Sequence, residues 1–183
     1  MAENKVQFGL KNVHYAKRVN GVAGTVKSVN GAVTLALSAQ GETNKFFADN
    51  IAYYVTQSNQ GYSGDLEMAH FPDEMRRDLW GEVLEATDKV QYELSNVEPA
   101  VFDLGFQIDG DENETLVWIY GCTASRPAVG SSTINENKEV KTETCTITSS
   151  PLANGLVRSF TTDSTTSAVR SAWFTTVYEP TIS

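Results

Sequence analysis

Asp65 and Glu67 sit two residues apart in a stretch, Tyr62 to Phe71, that alternates between polar and apolar side chains. A strand advances about 3.3 Å per residue, so both carboxylates would stand on one face about 7 Å apart. Paired acids at such a separation are the machinery of glycoside hydrolysis. They are also an ordinary solvated strand face, and no neighbouring cluster of aromatic and amide residues is implied that would hold a sugar. The other candidates fail on spacing. Asp109, Asp111, Asn113 and Glu114 begin like a calcium loop, yet the sixth and twelfth positions counted from Asp109 are Glu114 and Tyr120, where that loop requires Gly and a bidentate Glu. Cys122, Cys145, His14 and His70 lack the spacing of zinc ligands. His14 and His70 have no evident acidic partner, and the two cysteines read as small buried hydrophobes that stay thiols. No G-x-S-x-G elbow and no phosphate-cradling glycine loop occurs. The expectation is a protein that is not an enzyme, with no cofactor and no metal.

The segments that position these residues read as strands. Asn20-Gly21, Asn30-Gly31 and Asn154-Gly155 tolerate positive φ and suit tight hairpin turns. Thr25 to Val29 is a short strand, and Val33, Leu35 and Leu37 alternate with the small residues Ala32, Thr34, Ala36 and Ser38. Phe46 to Val55 is rich in types that fit a pleated, half-buried surface. Polar loops are expected at about 39–45 and 56–61. Pro72 starts a short helix, Asp73 and Glu74 suit its positive end, and Gly81 stops it. Met75, Leu79 and Trp80 are its packing residues. Glu82 to Glu98 reads as loop with a short strand near Val90 to Leu94. Further on, Phe102, Leu104, Phe106 and Ile108 alternate with Asp103, Gly105 and Gln107, and Leu116 to Ala124 is apolar on both faces, as a central strand would be. Val140, Thr142, Thr144, Thr146 and Thr148 line one side of another strand, Val140 to Thr148, to which Leu156–Thr161 is expected to pair back through the Asn154-Gly155 turn. Ser164 or Thr165 caps a helix carrying Ala168, Val169, Ala172 and Trp173. These elements predict a mainly β fold, a β-sandwich or small β-barrel with one or two short flanking α-helices, in a single domain spanning 1–183.

The chain has 183 residues and 23 Asp and Glu against 14 Lys and Arg. Gripping nucleic acid or an anionic membrane needs clustered Lys and Arg, so both partners are disfavoured. A protein past which nucleic acid must slide is compatible with this charge. The opening MAENKVQFGL shows no signal peptide, and no window approaches a membrane span of about 20 apolar residues.

The run NKFFADNIAYYVTQSNQGYSGDLEMAHFPDEMRRDLWG, together with LKNVHYAKRV and WIYGCTASRP, resembles the major tail (tail tube) protein family of long-tailed, non-contractile bacteriophages. The resemblance runs over nearly the whole chain. It implies a virion protein, made in the host cytoplasm, that forms hexameric rings stacked into a hollow tail through which DNA is ejected. The partners it implies are further copies of the chain and the tape measure, tail terminator and distal tail proteins, with DNA passing the lumen without specific binding. Joined to the strand pattern, it makes Asp65 and Glu67 lumen-facing, with Asp103 and Glu143 as weaker candidates. It also makes Gln40, Glu42, Asn44, Gln57, Asn59, Gln60 and Tyr62 candidates for ring-to-ring contact. The competing reading is a carbohydrate-binding or adhesive β-sandwich, with Tyr53, Tyr54 and Tyr62 stacking on sugars.

Overall fold

A computed structural model of the chain describes residues 6–110, 113–131 and 140–182. Asp111 of the suspected calcium loop, residues 132–139 and the first five residues of the opening segment lie outside the described residues. In chain order the elements are β1 (Gln7–Val19), β2 (Val22–Val29), β3 (Ala32–Gln40), β4 (Thr43–Ala48), β5 (Ile51–Gln57), β6 (Gly61–Met68), α1 (Asp73–Trp80), β7 (Val83–Leu84), β8 (Gln91–Tyr92), β9 (Phe102–Gly110), β10 (Thr115–Ala124), β11 (Glu143–Ser149), β12 (Arg158–Phe160) and α2 (Ser167–Ala172). The fold is mainly β, as expected.

One antiparallel sheet dominates, in the order β2-β1-β9-β10-β11-β6-β3, with β12 pairing β10. Residues from both of its ends pack on one apolar core: Val13 and Val29 at one end, Leu35 and Leu37 at the other. The sheet therefore curls around that core. It does not close, because β2 and β3 remain its two edges; the arrangement is consistent with a β-sandwich, and the barrel expectation is corrected. α1 covers the core from one side with Met75, Leu79 and Trp80 buried, the three residues its sequence pattern selects. Its end follows from Gly81, whose φ of 67° closes the helix in the left-handed region.

The central strands are covered on both faces. Leu104, Phe106, Val117 and Ile119 point to the α1 side, while Leu116, Trp118 and Tyr120 pack with Trp173 beneath the C-terminal segment. Gly105 is required there, since a Cβ would come within 2.7 Å of the Trp118 ring. Trp118 Nε1 donates to the carbonyl of Trp173 at 3.0 Å and fixes α2 on the sheet. β12 lies beside β10 rather than β11, because β11 pairs only the far end of β10, at Cys122 to Ala124, and leaves the edge at Val117–Ile119 free.

Two sequence expectations change around β4 and β5. Phe46–Val55 is not one strand but a hairpin that turns at Asp49-Asn50, with φ of 51° and 62°. Both values lie in the left-handed region that a two-residue turn of this kind needs and that Asp and Asn tolerate. The polar loops expected at 39–45 and 56–61 shrink to 41–42 and 58–60, because β3 runs into β4 and β5 into β6. Across that break the Ser58 N–H donates to the Glu42 carbonyl (3.1 Å) and the Gln60 N–H to the Gln40 carbonyl (2.8 Å). The region is one long ribbon from Ala32 to Met68 with a short irregularity at its waist.

Candidate functional site

Alternation along β6 buries Leu66 and Met68 and turns Asp65 and Glu67 to the opposite side. On that face the neighbouring strands supply hydroxyls. Thr146 Oγ1 donates to Asp65 at 2.8 Å, and Thr34 Oγ1 and Thr142 Oγ1 donate to Glu67 at 3.0 and 2.5 Å. Ser63 and Thr148 meet at 3.3 Å in the same plane. Thr144, Thr146 and Thr148 are exposed while Cys145, Ile147 and Ser149 between them are buried. The C-terminal segment packs on β10 and reaches His14 of β1, and among the described residues nothing covers the outer face of β3, β6 and β11, which carries small polar groups with two carboxylates. Both thiols are buried, and burial pushes Cys145 up to about 12 and Cys122 higher still.

Asp103 and Glu143 are not on this face. Asp103 is 0% exposed; its Oδ1 accepts from Arg18 Nε at 2.8 Å and from the Gly121 N–H at 3.1 Å, and its Oδ2 has no partner. A carboxylate lining a water-filled lumen must meet solvent, so the lumen expectation for Asp103 is corrected. Burial pushes its carboxyl above the usual range, against the opposing pull of Arg18. Arg18, itself 8% exposed, also binds Glu179 and the Gly21 carbonyl (2.5 Å), and the Tyr120 hydroxyl bonds Ser159 (2.5 Å) and the Tyr178 carbonyl. These contacts pin the C-terminal segment to the sheet. Sequence patterning misses Arg18, because a lone Arg in a strand next to Lys17 reads as a solvated charge.

Glu143 sits on the α1 side. Both of its oxygens accept from Arg76 at 2.9 Å, one accepts from the Phe71 N–H at 2.8 Å, and His70 lies 3.3 Å away. Its charge is spent within the chain, which corrects its lumen role, and His70 does have an acidic neighbour. His14 is stacked on Phe174 with ring centroids 4.3 Å apart. Burial raises the Glu143 carboxyl, but the Phe71 N–H, Arg76 and His70 outweigh it and hold the group below 4.5. A depressed carboxylate stabilises the fold above its unfolded pKa and loses that contribution as pH falls through the folded value. Glu143→Gln should therefore cost about 1–3 kcal/mol at pH 7, the range of a charge-assisted hydrogen bond. In urea titrations across pH the gap between variant and parent should shrink as pH falls below the ordinary carboxylate range and through the depressed folded value; a pH-independent gap would show that Glu143 acts by shape alone.

The expected ring-to-ring residues separate into two groups. Gln40, Glu42, Asn44, Gln57, Asn59 and Gln60 are exposed along the ribbon. Tyr62 is half-buried, with the Arg158 guanidinium 5.3 Å from its ring. What the polar pattern overlooked is the apolar load of the β4–β5 arm. Phe46, Phe47, Ile51, Tyr53, Tyr54 and Val55 are each 53–74% exposed, and among the described residues β4 and β5 pair only with each other. The turn pair Asp49-Asn50 was the available signal. The chain matches no family model and no curated protein.

Proposed function

We propose that this protein is a structural subunit that self-assembles into stacked rings forming a phage tail tube, a conduit for genomic DNA. The carrying observation is the β4–β5 arm. Six large apolar side chains exposed on the two faces of one hairpin mark an interaction site, and two sheet edges without a strand partner among the described residues, β2 and β3, are the kind of surface that native proteins hide by pairing. A heterologous contact between different surfaces of identical copies generates rings and filaments, and an arm together with two free edges supplies different surfaces. The bare Asp65–Glu67 face suits a lumen. A basic wall would trap a duplex bearing one charge per roughly 1.7 Å, whereas carboxylates and small hydroxyls repel it over a screening length of about 8 Å. The sugar-binding alternative loses one of its three stacking rings, because Tyr62 is occupied by Arg158.

Negative-stain microscopy of the purified, concentrated chain tests the reading. Rings or long tubes are expected, and a persistent 20 kDa monomer would refute it. The lumen assignment has its own test. Particles carrying Asp65→Lys and Glu67→Lys should eject DNA slowly, with a defect that eases at high salt. Ejection at the normal rate in low salt would place this face elsewhere in the assembly.

A further inference from the structure

Among the described residues, the open sheet leaves part of its core uncovered. Where the start of β1 and the end of β9 approach β3, Phe8, Leu10, Leu35, Phe106 and Ile108 line a cavity of about 230 Å³. Phe106 is buried, Leu10, Leu35 and Ile108 are half-buried against the core, and Phe8 is 57% exposed at the rim. A closed barrel would have covered this opening. Its walls are mainly apolar, with Gln7 and Gly9 completing the lining, and its size suits a ring, since an apolar cavity of about 150 Å³ accepts one benzene.

We propose that this opening receives the Phe46–Tyr54 face of the arm of a second copy of the chain, an assignment that rests on the self-assembly reading. Phe46 and Tyr54 are direct cross-strand partners, so they stand on one face of the ribbon as an adjacent pair of rings. The arm cannot fill its own chain's opening. Phe46 follows Leu35 by eleven residues along a continuous ribbon, about 35 Å away at the rise of a strand. Area supports a copy-to-copy contact. Phe46 and Tyr54 bury about 150–250 Å² each when fully covered, a large part of the roughly 800 Å² that each partner of a stable complex contributes; Ile51, Tyr53 and Val55 alternate with Tyr54 along β5 and add to it only where the opposite face of the arm is covered too. Arm and opening lie on different parts of the chain, so every copy offers both and the contact propagates.

Cross-linking tests the assignment on the full chain. Phe8 and Tyr54 are both exposed, so Phe8→Cys and Tyr54→Cys leave the core intact, and the native Cys122 and Cys145 are buried. Under mild oxidation the double variant should give a ladder of covalent oligomers extending beyond the dimer, absent from either single variant. Tubes in the microscope without a ladder would overturn the docking site and leave the tube reading standing. A ladder without tubes would support the docking site and remove the tube. Neither would overturn both. Phe8→Ser supplies a second measurement: the concentration needed for assembly should rise at least tenfold, and an unchanged threshold would count against the opening as acceptor.

Discussion

Replacing Phe46 and Tyr54 together by serine is expected to leave a folded chain that no longer assembles. Both rings are more than 60% exposed, so the isolated fold has almost nothing to lose. Circular dichroism and the thermal midpoint should match the parent within about 0.5 kcal/mol, the usual range for surface changes. Burying a large apolar side chain contributes about 1.5–3 kcal/mol. Losing two at each contact therefore weakens it by about 3–6 kcal/mol, or at least a hundredfold in affinity at 1.4 kcal/mol per tenfold. Sedimentation against concentration reads this directly. Assembly at the parent's threshold would show that the arm is not the contact, and the self-assembly reading would then rest on the strand edges alone.

The second large effect is expected at the buried pair of Arg18 and Asp103. Arg18→Ala leaves the Asp103 carboxyl fully buried and without its ionic partner, and removing one member of a buried pair costs about 3–5 kcal/mol. For a chain of this size that corresponds to a fall in Tm of roughly 6–20 °C. Asp103→Asn should cost less. It removes a carboxyl that burial already holds above its usual range and whose Oδ2 is unpaired, while Arg18 keeps Glu179. The pH dependence separates the two roles. A carboxyl raised in the folded state binds its proton more readily there than in the unfolded chain, so its contribution to stability grows as pH falls through the folded value. Relative to Asp103→Asn, the parent should gain stability on moving from pH 7 toward pH 4. A constant difference would mean that Asp103 is held by Arg18 as an ordinary carboxylate.

The contrast between Asp65 and Asp103 separates what is local from what is not. Each is an acid between apolar neighbours, Leu66 beside one and Phe102 and Leu104 beside the other. The period of two therefore puts both acids on the face opposite their strand's core side, and the structure agrees for both. Which of those faces meets water is decided by the rest of the chain. Trp173 and Phe174 pack over the back of β10 and on His14 of β1, and Glu179 reaches Arg18 from a position 161 residues distant; among the described residues the back of β6 receives no such cover. Alternation and the Pro72-to-Gly81 punctuation of α1 were legible because they depend on residues within a turn or two of each other. The β4–β5 hairpin was half legible. Its strand types were correct, but an Asp-Asn turn inside an aromatic run differs from a straight strand only by two positive φ values. The sheet order, its failure to close and the pairing of β12 with β10 were not legible at all. They depend on which edges remain free after distant strands have paired, and that competition is settled by the packing of the whole core rather than by any window of sequence.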